Sequence, residues 1–364
     1  MRDVQTDAFR GRFDSDGIAI EFGRHRTGPE GPEGSPGAIA LTERIVMPLA
    51  TAKRLVLVLA DALRPYPAEA LSGERDQRGE VPRNAPPDAA GAHGALLLRL
   101  VGELGIPCQH ERSFRLTEGE LLANRFLLSL NAGDIPANAL ERVLTICDAL
   151  HMPQDLRRMA EKDYGHAACV HFGFEGGEGG AVAKLYFERA IAPEAALKAC
   201  ERAEALLLHR AFKWDVDGAA GGTSVVTEYN WHPLLGTAEI AERLEVLYGD
   251  ASPSLAIVRG MLELAAARAP DAHFQFLQVE EENGRRSFDL NVYDAKLQVS
   301  DAQPLLDAMR ERCEVRPGRF QALYDQIKTR PLGHVAGGIH RNRREFFNVY
   351  YGVTGFPLFS QRFG

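Results

Sequence analysis

Long apolar runs are missing from this sequence of 364 residues. A transmembrane helix needs about 20 consecutive apolar residues, and no stretch of the chain approaches that length. The N-terminal segment MRDVQTDAFRGRF has no apolar stretch after its charged residues, so it is typical of neither a secretory signal nor a membrane anchor. We therefore expect a cytoplasmic protein that does not enter a membrane.

Paired cysteines and an excess of positive charge are also missing. The five cysteines form no CxxC pair, and a sparse, odd number favours reduced thiols over a disulfide framework. The formal net charge of -8 at pH 7 argues against general nucleic-acid binding, which depends on clustered Lys and Arg that neutralise phosphates. An anionic ligand of this protein needs a local basic site.

The short motifs of several enzyme classes are absent too. The sequence has no Walker A loop, no HExxH, no GxSxG and no aspartate cluster of the DDxxD type found in helical isoprenoid synthases. Its glycine-rich stretch GFEGGEGG precedes a predicted strand, whereas a dinucleotide-binding fingerprint connects a strand to a helix. This stretch therefore predicts a hairpin turn.

The composition, with 45% hydrophobic and 25% charged residues, is that of an ordinary globular protein. Residues 13–22 and 38–47 predict a strand hairpin, and residues 48–63 predict a helix that stops before Pro65. This small βα extension resembles a bacterial domain of unknown function. Residues 64–92 combine Pro, Gly and charge, as linkers do. We therefore predict an N-terminal unit with its linker over residues 1–90 and a main domain over residues 91–364.

A repeat of strand pairs and helices dominates the rest of the chain. Strands in adjacent pairs, with helices only between pairs, predict an antiparallel sheet covered by helices on one face. Closing the sheet removes its edges, so the predicted fold is α+β, a closed antiparallel barrel of about ten strands surrounded by helices. The predicted pairs are 167–175 with 181–189, 212–216 with 223–231, 272–282 with 286–297, and 333–341 with 345–353. A strand at 114–119 or 125–131 precedes them, and the predicted helices are 137–162, 192–210, 237–248, 253–268, 301–313 and 317–328.

The side chains that face the inside of such a barrel follow from strand alternation. About ten strands enclose a lumen too wide for side chains alone to fill. The two-residue period puts Lys184, Tyr186 and Glu188 on one face, and Leu185 and Phe187 on the face towards the helices. Further sets that share a face are Val225, Thr227, Tyr229 and Trp231; Asp289, Asn291 and Tyr293; and Phe346, Asn348 and Tyr350. A lumen lined by tyrosines, a lysine and amides is unusual for a structural core.

The segment from Glu111 to Leu128, ERSFRLTEGELLANRFLL, is the most specific motif of the chain. Its Glu-x-Ser-x-basic unit and its Leu-x-Ala-x-Arg-Phe-Leu-Leu unit resemble, at the same spacing, those of the cyanobactin peptide prenyltransferases. The strand order and Lys184-Leu-Tyr186 resemble the wider group of ABBA-type prenyltransferases. The resemblance covers residues 95–355. It implies transfer of a dimethylallyl or geranyl group from its diphosphate to a side chain of a ribosomally made peptide.

The resemblance also implies site residues. A prenyl diphosphate ionises towards an allylic cation, so its site needs cationic groups for the diphosphate and aromatic faces for the cation. Glu111 is the predicted catalytic carboxylate, because alkylating a phenol, indole or guanidine releases a proton. The residues predicted to bind the prenyl diphosphate are Arg125, Lys184, Tyr186, Tyr229, Asn291, Tyr293 and Tyr350. Those predicted to line the acceptor pocket are Phe274, Phe276, Trp231 and His340.

Magnesium is the predicted cofactor, although no protein ligand for a metal is predicted. Glu188, Asp289 and Asn291 stand where relatives carry basic residues, so the lumen is expected to be short of positive charge. A Mg²⁺ ion that bridges the diphosphate offsets such a shortage. By contrast, Glu280–Glu282 and the arginines of the turn at residues 341–344 are interpreted as solvated.

Two other functions stay open at this point. The same barrel suits an aromatic prenyltransferase with a small-molecule acceptor, and it also suits a non-catalytic carrier that holds an apolar ligand. A carrier has no need of a carboxylate beside cationic groups, which is the feature that separates it from an enzyme. The N-terminal unit is compatible with partner binding or dimerisation.

Overall fold

The computed structural model describes residues 8–14, 17–25, 39–47, 89–135, 138–177, 180–217, 224–270, 272–281 and 284–354. The chain divides into two compact units, Met1–Gly73 and Glu74–Arg362. No helix within the described ranges is both long and apolar enough to cross a membrane. The predicted helix at 48–63 and most of the predicted linker lie outside these ranges, but residues 89–92 belong to a helix rather than to a linker.

The described part of the first unit is an antiparallel sheet of three strands in the order β1-β2-β3. They are β1 (Ala8–Asp14), β2 (Gly17–His25) and β3 (Ile39–Met47). The predicted single strand at 13–22 is wrong, because Asp14 pairs with Gly17 and the chain reverses direction between them. The pairing of β2 with β3 confirms the predicted hairpin.

The second unit contains a closed barrel of ten antiparallel strands, as the sequence predicts. The order around the barrel is β10-β11-β12-β13-β4-β5-β6-β7-β8-β9, and β9 pairs with β10 to close it. The strands are β4 (Gln109–Thr117), β5 (Glu120–Asn131), β6 (Ala167–Gly177), β7 (Gly180–Arg189), β8 (Leu206–Asp215), β9 (Val225–Trp231), β10 (Phe276–Glu280), β11 (Arg286–Asn291), β12 (Leu332–Ile339) and β13 (Glu345–Thr354).

Helices connect and cover these strands. They are α1 (Ala89–Gly102), α2 (Ala139–Ala149), α3 (Gln154–Asp163), α4 (Pro193–Arg202), α5 (Thr237–Tyr248), α6 (Pro253–Arg268), α7 (Gln303–Arg312) and α8 (Pro317–Ile327). The predicted helices at 237–248, 253–268, 301–313 and 317–328 are confirmed within one or two residues. Both alternatives for the first strand of the barrel are also present, as the hairpin of β4 and β5.

Two predicted helices are too long. The segment 192–210 contains α4 only to Arg202, and β8 begins at Leu206, because pairing with β7 and β9 overrides the helical propensity of these residues. The segment 137–162 is broken between α2 and α3. His151 there has a left-handed φ of 59°, and Pro153 cannot continue a helix because it has no backbone N–H.

The apolar face of each strand packs against the helices. Leu185 and Phe187 join Phe172 and Phe174 in a buried cluster with residues of α1, α2 and α3, and a second cluster lies beneath α5 to α8. Burying each such side chain stabilises the fold by about 1.5–3 kcal/mol. This packing leaves the alternate side chains of the strands to face the lumen, which confirms the predicted orientation of β7.

The connections divide the barrel into two ends. The hairpin turns β4–β5, β6–β7, β8–β9, β10–β11 and β12–β13 all lie at one end, which we call the hairpin end, because the strands alternate in direction. The connections that contain helices lie at the other end, which we call the helix end. A residue's position along its strand therefore gives its depth in the lumen.

Candidate active site

A cluster of cationic side chains lies at the hairpin end of the lumen. Glu175 is held by Arg115 at 2.9 Å, by Arg125 at 3.2 Å and by Lys184 at 2.7 Å. The amide oxygen of Asn348 accepts hydrogen bonds from Arg115 at 2.9 Å and from Arg125 at 2.7 Å. Arg125 and Lys184 are buried. The structure thus brings together the two cations that the sequence predicts for a diphosphate.

The cluster continues on β8 and in the β10–β11 and β12–β13 turns, with basic residues that sequence reasoning did not assign to the site. Lys213 Nζ donates to the hydroxyls of Thr227 at 3.2 Å and Tyr229 at 3.1 Å. Arg341 donates to both oxygens of Glu281 at 2.8 Å, so the turn at 341–344 is not simply solvated. Arg285 lies 3.3 Å from the same carboxylate. The hairpin end therefore holds more positive charge than the sequence predicts.

Burial and the repulsion between neighbouring cations disfavour the protonated forms of the two lysines in this cluster. Burial lowers the pKa of Lys213 well below its ordinary value, and Arg285 and Arg115 lower it further. Burial also lowers the pKa of Lys184 to about 7, although Glu175 acts in the opposite direction. Among the described residues, the structure records no ion pair for Lys213. An anion that enters this end of the lumen relieves the repulsion.

Three tyrosines form a layer next to the cationic cluster on the side of the helix end. Tyr186 lies two residues from Lys184 along β7, and its ring centroid is 6.0 Å from that of Tyr229. Tyr350 lies two residues from Asn348 along β13. Burial raises the pKa of both Tyr186 and Tyr350, which keeps these phenols neutral. Neutral aromatic rings offer their faces to a cation without capturing it.

Glu111 lies on the far side of this layer and is only 6% exposed. Its Oε1 accepts a hydrogen bond from the hydroxyl of Tyr293. Burial raises the pKa of Glu111, while nearby His334 and the Tyr293 hydroxyl act against this rise. A buried carboxylate with a raised pKa is suited to accept a proton from a bound molecule.

His334 is the charged neighbour of Glu111. Its Nδ1 lies 2.9 Å from Asp289 Oδ1. Burial lowers the pKa of His334, but Asp289 and Glu111 outweigh burial and raise it to about 9. His334 is therefore protonated at neutral pH. Its charge favours the ionised form of Glu111, which is the form that accepts a proton.

The backbone of Gly333 makes room for this arrangement. A Cβ atom at this position would lie 2.5 Å from Glu111 Oε1 and 2.7 Å from the Tyr293 hydroxyl. Any larger residue therefore displaces the carboxylate or its partner. The requirement for glycine was missed in the sequence, because it arises from two segments that are remote from β12 in the chain.

A group of histidines lines the lumen near Glu111. His171 Nδ1 lies 2.8 Å from Ser129 Oγ, and its Nε2 lies 3.2 Å from Glu188. The ring of His209 is 5.6 Å from that of His171. Ligand atoms of His171, Glu188 and His209 lie within 4.8 Å of one another, the one such triple among the described residues. Sequence reasoning missed His209 because the first half of β8 was predicted as the end of a helix, and it missed Lys213 because no lumen face was assigned to the strand predicted at 212–216.

Several predicted site residues lie elsewhere. Phe274 and Phe276 belong to the buried cluster outside the barrel, with Phe276 stacked on Phe288 at 6.1 Å, so their placement in the acceptor pocket is wrong. Tyr293 lies beyond β11, in a short turn, and its backbone N–H donates to Asn291. Asn291 and Tyr293 therefore both lie at the helix end, away from Arg125 and Lys184.

The other two predicted pocket residues lie at opposite ends of the lumen. Trp231 pairs with Leu206 and Leu277 at the helix end, on the lumen face. His340 follows β12 at the hairpin end, where its ring is 6.2 Å from that of Phe346. Burial lowers the pKa of His340 to about 4, and the arginines of the cationic cluster contribute. The structure thus does not bring Trp231 and His340 together.

The cationic cluster does not fit a metal held by the protein. Its described carboxylates, Glu175 and Glu281, are each ion-paired with arginine or lysine side chains. A hard divalent cation needs oxygen ligands that are not already committed to cations. The sequence predicted a lumen that is short of positive charge, and the basic residues of this cluster show that the prediction is wrong at the hairpin end.

No family model matches the chain, and no curated protein matches it. The chain is similar to the solved structure of a 6-dimethylallyltryptophan synthase from Micromonospora olivasterospora in complex with DMASPP and Trp, with 14% identity over 67% of this chain and 81% of that chain and a TM-score of 0.46. It is similar to a 6-dimethylallyl tryptophan synthase with 11% identity over 74% of this chain and 97% of that chain and a TM-score of 0.44. It is similar to AnaPT from Neosartorya fischeri with 12% identity over 70% of this chain and 80% of that chain and a TM-score of 0.38. Function is therefore inferred from the side chains of the barrel itself.

Proposed function

We propose that this chain is a prenyltransferase that moves a dimethylallyl or geranyl group from its diphosphate to a side chain of a peptide. One observation carries the proposal. From the hairpin end to the helix end, the lumen presents cationic side chains, then tyrosine rings, then a buried carboxylate. This is the order in which a diphosphate, an allylic cation and a proton-releasing acceptor need their partners.

The donor's diphosphate is bound by the cationic cluster. Arg115 and Arg125 offer guanidinium groups, which form strong charge-assisted bonds to phosphate oxygens. Lys184 and Lys213 add point charges from adjacent strands. Positive charge at this position also stabilises the diphosphate as a leaving group, since negative charge builds up on it when the bond to carbon breaks.

The prenyl chain extends past the tyrosine layer. When the C1–O bond breaks, its electron pair leaves with the diphosphate and the prenyl group becomes an allylic cation. The faces of Tyr186, Tyr229 and Tyr350 stabilise the positive charge through the ring quadrupole. The enclosure of the barrel keeps water from capturing the cation.

The acceptor lies at the helix end. A nucleophilic atom of its side chain forms the new bond to the prenyl carbon, and the proton that it loses passes to Glu111. Tyr293 and His334 position this carboxylate and favour its ionised form. The products are the prenylated acceptor and inorganic diphosphate.

A peptide acceptor is supported by the resemblance of the Glu111–Leu128 segment to the cyanobactin peptide prenyltransferases. The test is incubation with dimethylallyl or geranyl diphosphate and peptides that contain Trp, Tyr, Arg or His, beside the free amino acids. We expect a peptide to gain the mass of one prenyl group. Modification of the free amino acids alone would favour a small-molecule acceptor, and a diphosphate that stays intact with every acceptor would contradict prenyl transfer.

Magnesium dependence stays a prediction. Since the cationic cluster already supplies positive charge, we expect excess EDTA to lower turnover only in part, and added Mg²⁺ to restore it by neutralising the diphosphate. The measurement is the initial rate of transfer in EDTA and in EDTA with an excess of Mg²⁺. Equal rates in both would contradict the prediction.

Donor binding is expected to take up a proton. The pKa values of Lys213 and Lys184 are depressed in the free protein, and a bound diphosphate raises them again, so a fraction of a proton up to about one is bound at pH 8. The measurement is titration calorimetry with dimethylallyl S-thiolodiphosphate in Tris and in HEPES, whose ionisation enthalpies differ. Lys213→Met is expected to reduce the uptake. Identical heats in the two buffers would contradict the account of these lysines.

A further inference from the structure

The two ends of the lumen differ in the sign of their charge. At the hairpin end the described lumen residues include four arginines and two lysines, which are Arg115, Arg125, Arg285, Arg341, Lys184 and Lys213. At the helix end the carboxylates and histidines are Glu111, Glu188, Asp289, His171, His209 and His334. Of the described residues that face the lumen there, none is a lysine or an arginine. Among the described residues, the lysine and arginine side chains that face the lumen are therefore all on the donor's side.

The histidines offset only part of the negative charge at the helix end. His334 is protonated and paired with Asp289 at 2.9 Å. Burial lowers the pKa of His209 to about 4, although Glu188 acts in the opposite direction, so His209 is neutral at physiological pH. Asp289 is thus compensated by His334, while Glu111 and Glu188 are two further carboxylates in this part of the lumen.

Glu188 lines the same space as the catalytic carboxylate. It projects from β7 beyond Tyr186, on the side away from the diphosphate. His171, which contacts Glu188 at 3.2 Å, also lies close enough to Glu111 to lower the pKa of that residue. An acceptor whose reacting atom meets Glu111 therefore presents its neighbouring groups to Glu188 and His171.

We propose that Glu188, with His171 and His209 beside it, binds a positively charged group of the acceptor and so selects a cationic acceptor over a neutral or anionic one. The group is an ammonium or a guanidinium next to the alkylated side chain. A carboxylate of the acceptor would instead meet Glu188 and Glu111 at short range, which is unfavourable in a poorly solvated site. This inference rests on the proposed prenyl transfer.

The test uses acceptors that share a side chain and differ in charge. Tryptophan amide is cationic, N-acetyltryptophan amide is neutral and N-acetyltryptophan is anionic, and the tyrosine series is built in the same way. We expect kcat/KM to fall in that order, by about tenfold or more between the cationic and the neutral compound, as for one charge-assisted hydrogen bond. Equal values, or a preference for the anionic compound, would overturn the inference.

Glu188→Gln separates this role from a structural one. The substitution keeps the shape and a hydrogen bond to His171, so we expect it to lower kcat/KM for the cationic compound and to leave the neutral compound within about twofold. Glu228→Gln is the matched control, because Glu228 lies on the outer face of β9, two strands from β7, and pairs with Arg210. An equal loss for all three compounds would indicate that Glu188 only supports the fold of the lumen.

Binding distinguishes failure of this inference from failure of the proposed function. The same three compounds are titrated into the full chain with dimethylallyl S-thiolodiphosphate bound, so that the Kd values do not depend on turnover. Tighter binding of the cationic compound, lost in Glu188→Gln, supports the charge selection even where no prenyl group is transferred. Transfer without any charge preference overturns the inference and leaves the prenyltransferase in place.

Discussion

Glu111→Gln is expected to lower kcat by about 10²–10⁴-fold, the usual contribution of a general base. The amide keeps the size of the side chain and can still accept a hydrogen bond from Tyr293, but it cannot take the acceptor's proton. The affinity for the diphosphate donor is expected to stay within about threefold of wild type, because the cationic cluster lies beyond the tyrosine layer. Single-turnover rates and donor titrations measure the two effects separately.

The pH dependence of kcat gives a second readout of Glu111. The carboxylate must be ionised to accept a proton, and burial raises its pKa. Activity is therefore expected to fall as the pH drops through this raised pKa, at a higher pH than for an exposed carboxylate. A Glu111→Gln variant with normal kcat, or with the acid limb of wild type, would contradict the assignment.

Arg125→Gln is expected to weaken binding of the prenyl diphosphate by about 10–100-fold, since hydrogen bonds to charged groups contribute about 1.5–3 kcal/mol each. The buried guanidinium is one of the groups that hold Glu175 and Asn348 in place. Arg115 and Lys184 still pair with Glu175 in the variant, so the fold is expected to survive. The measurement is the Kd of dimethylallyl S-thiolodiphosphate, with the melting temperature as a check on folding.

Arg112→Gln is the matched control for Arg125. Arg112 lies on the same hairpin, opposite Phe126, but on the outer face, where it is exposed. We expect its substitution to leave donor binding unchanged. Equal effects of the two substitutions would mean that Arg125 acts through the net charge of the protein rather than through the lumen.

Strand alternation was sufficient to predict much of the lumen. Lys184, Tyr186 and Glu188 face inward because Leu185 and Phe187 pack beneath the helices, and the same reasoning places Tyr229 and Tyr350. The glycine-rich turns fixed the hairpins, and the absence of helices within pairs fixed the antiparallel barrel. These features are local, so a single sequence carries them.

The errors arose where distant parts of the chain decide the structure. Leu206–Leu208 and Arg210 are good helix formers, and pairing with β7 and β9 makes this segment a strand. His209 was missed for that reason, whereas Lys213 lies in the strand predicted at 212–216 and was missed because no lumen face was assigned to that strand. Phe276 lies in a strand that is buried on both faces, so its apolar pattern does not reveal which side faces the lumen.

The contact between Glu111 and Tyr293 is a further case. The two residues are 182 positions apart, and Tyr293 lies in a turn that follows β11 rather than on a strand. The predicted strand at 286–297 is longer than β11, which ends at Asn291. Tyr293 was therefore placed among the aromatic groups that face the cation. The motif around Glu111 identified the carboxylate, but only the closed barrel shows which hydroxyl and which histidine surround it.

The most direct test of prenyl transfer in this lumen compares wild type with Glu111→Gln by mass spectrometry. Both proteins are incubated with dimethylallyl diphosphate and the panel of Trp, Tyr, Arg and His peptides. The account predicts that a peptide gains one prenyl group with wild type and that the variant binds the donor but transfers far less. Absence of transfer by wild type, together with tight binding of an uncharged isoprenoid alcohol, would contradict it and identify a carrier.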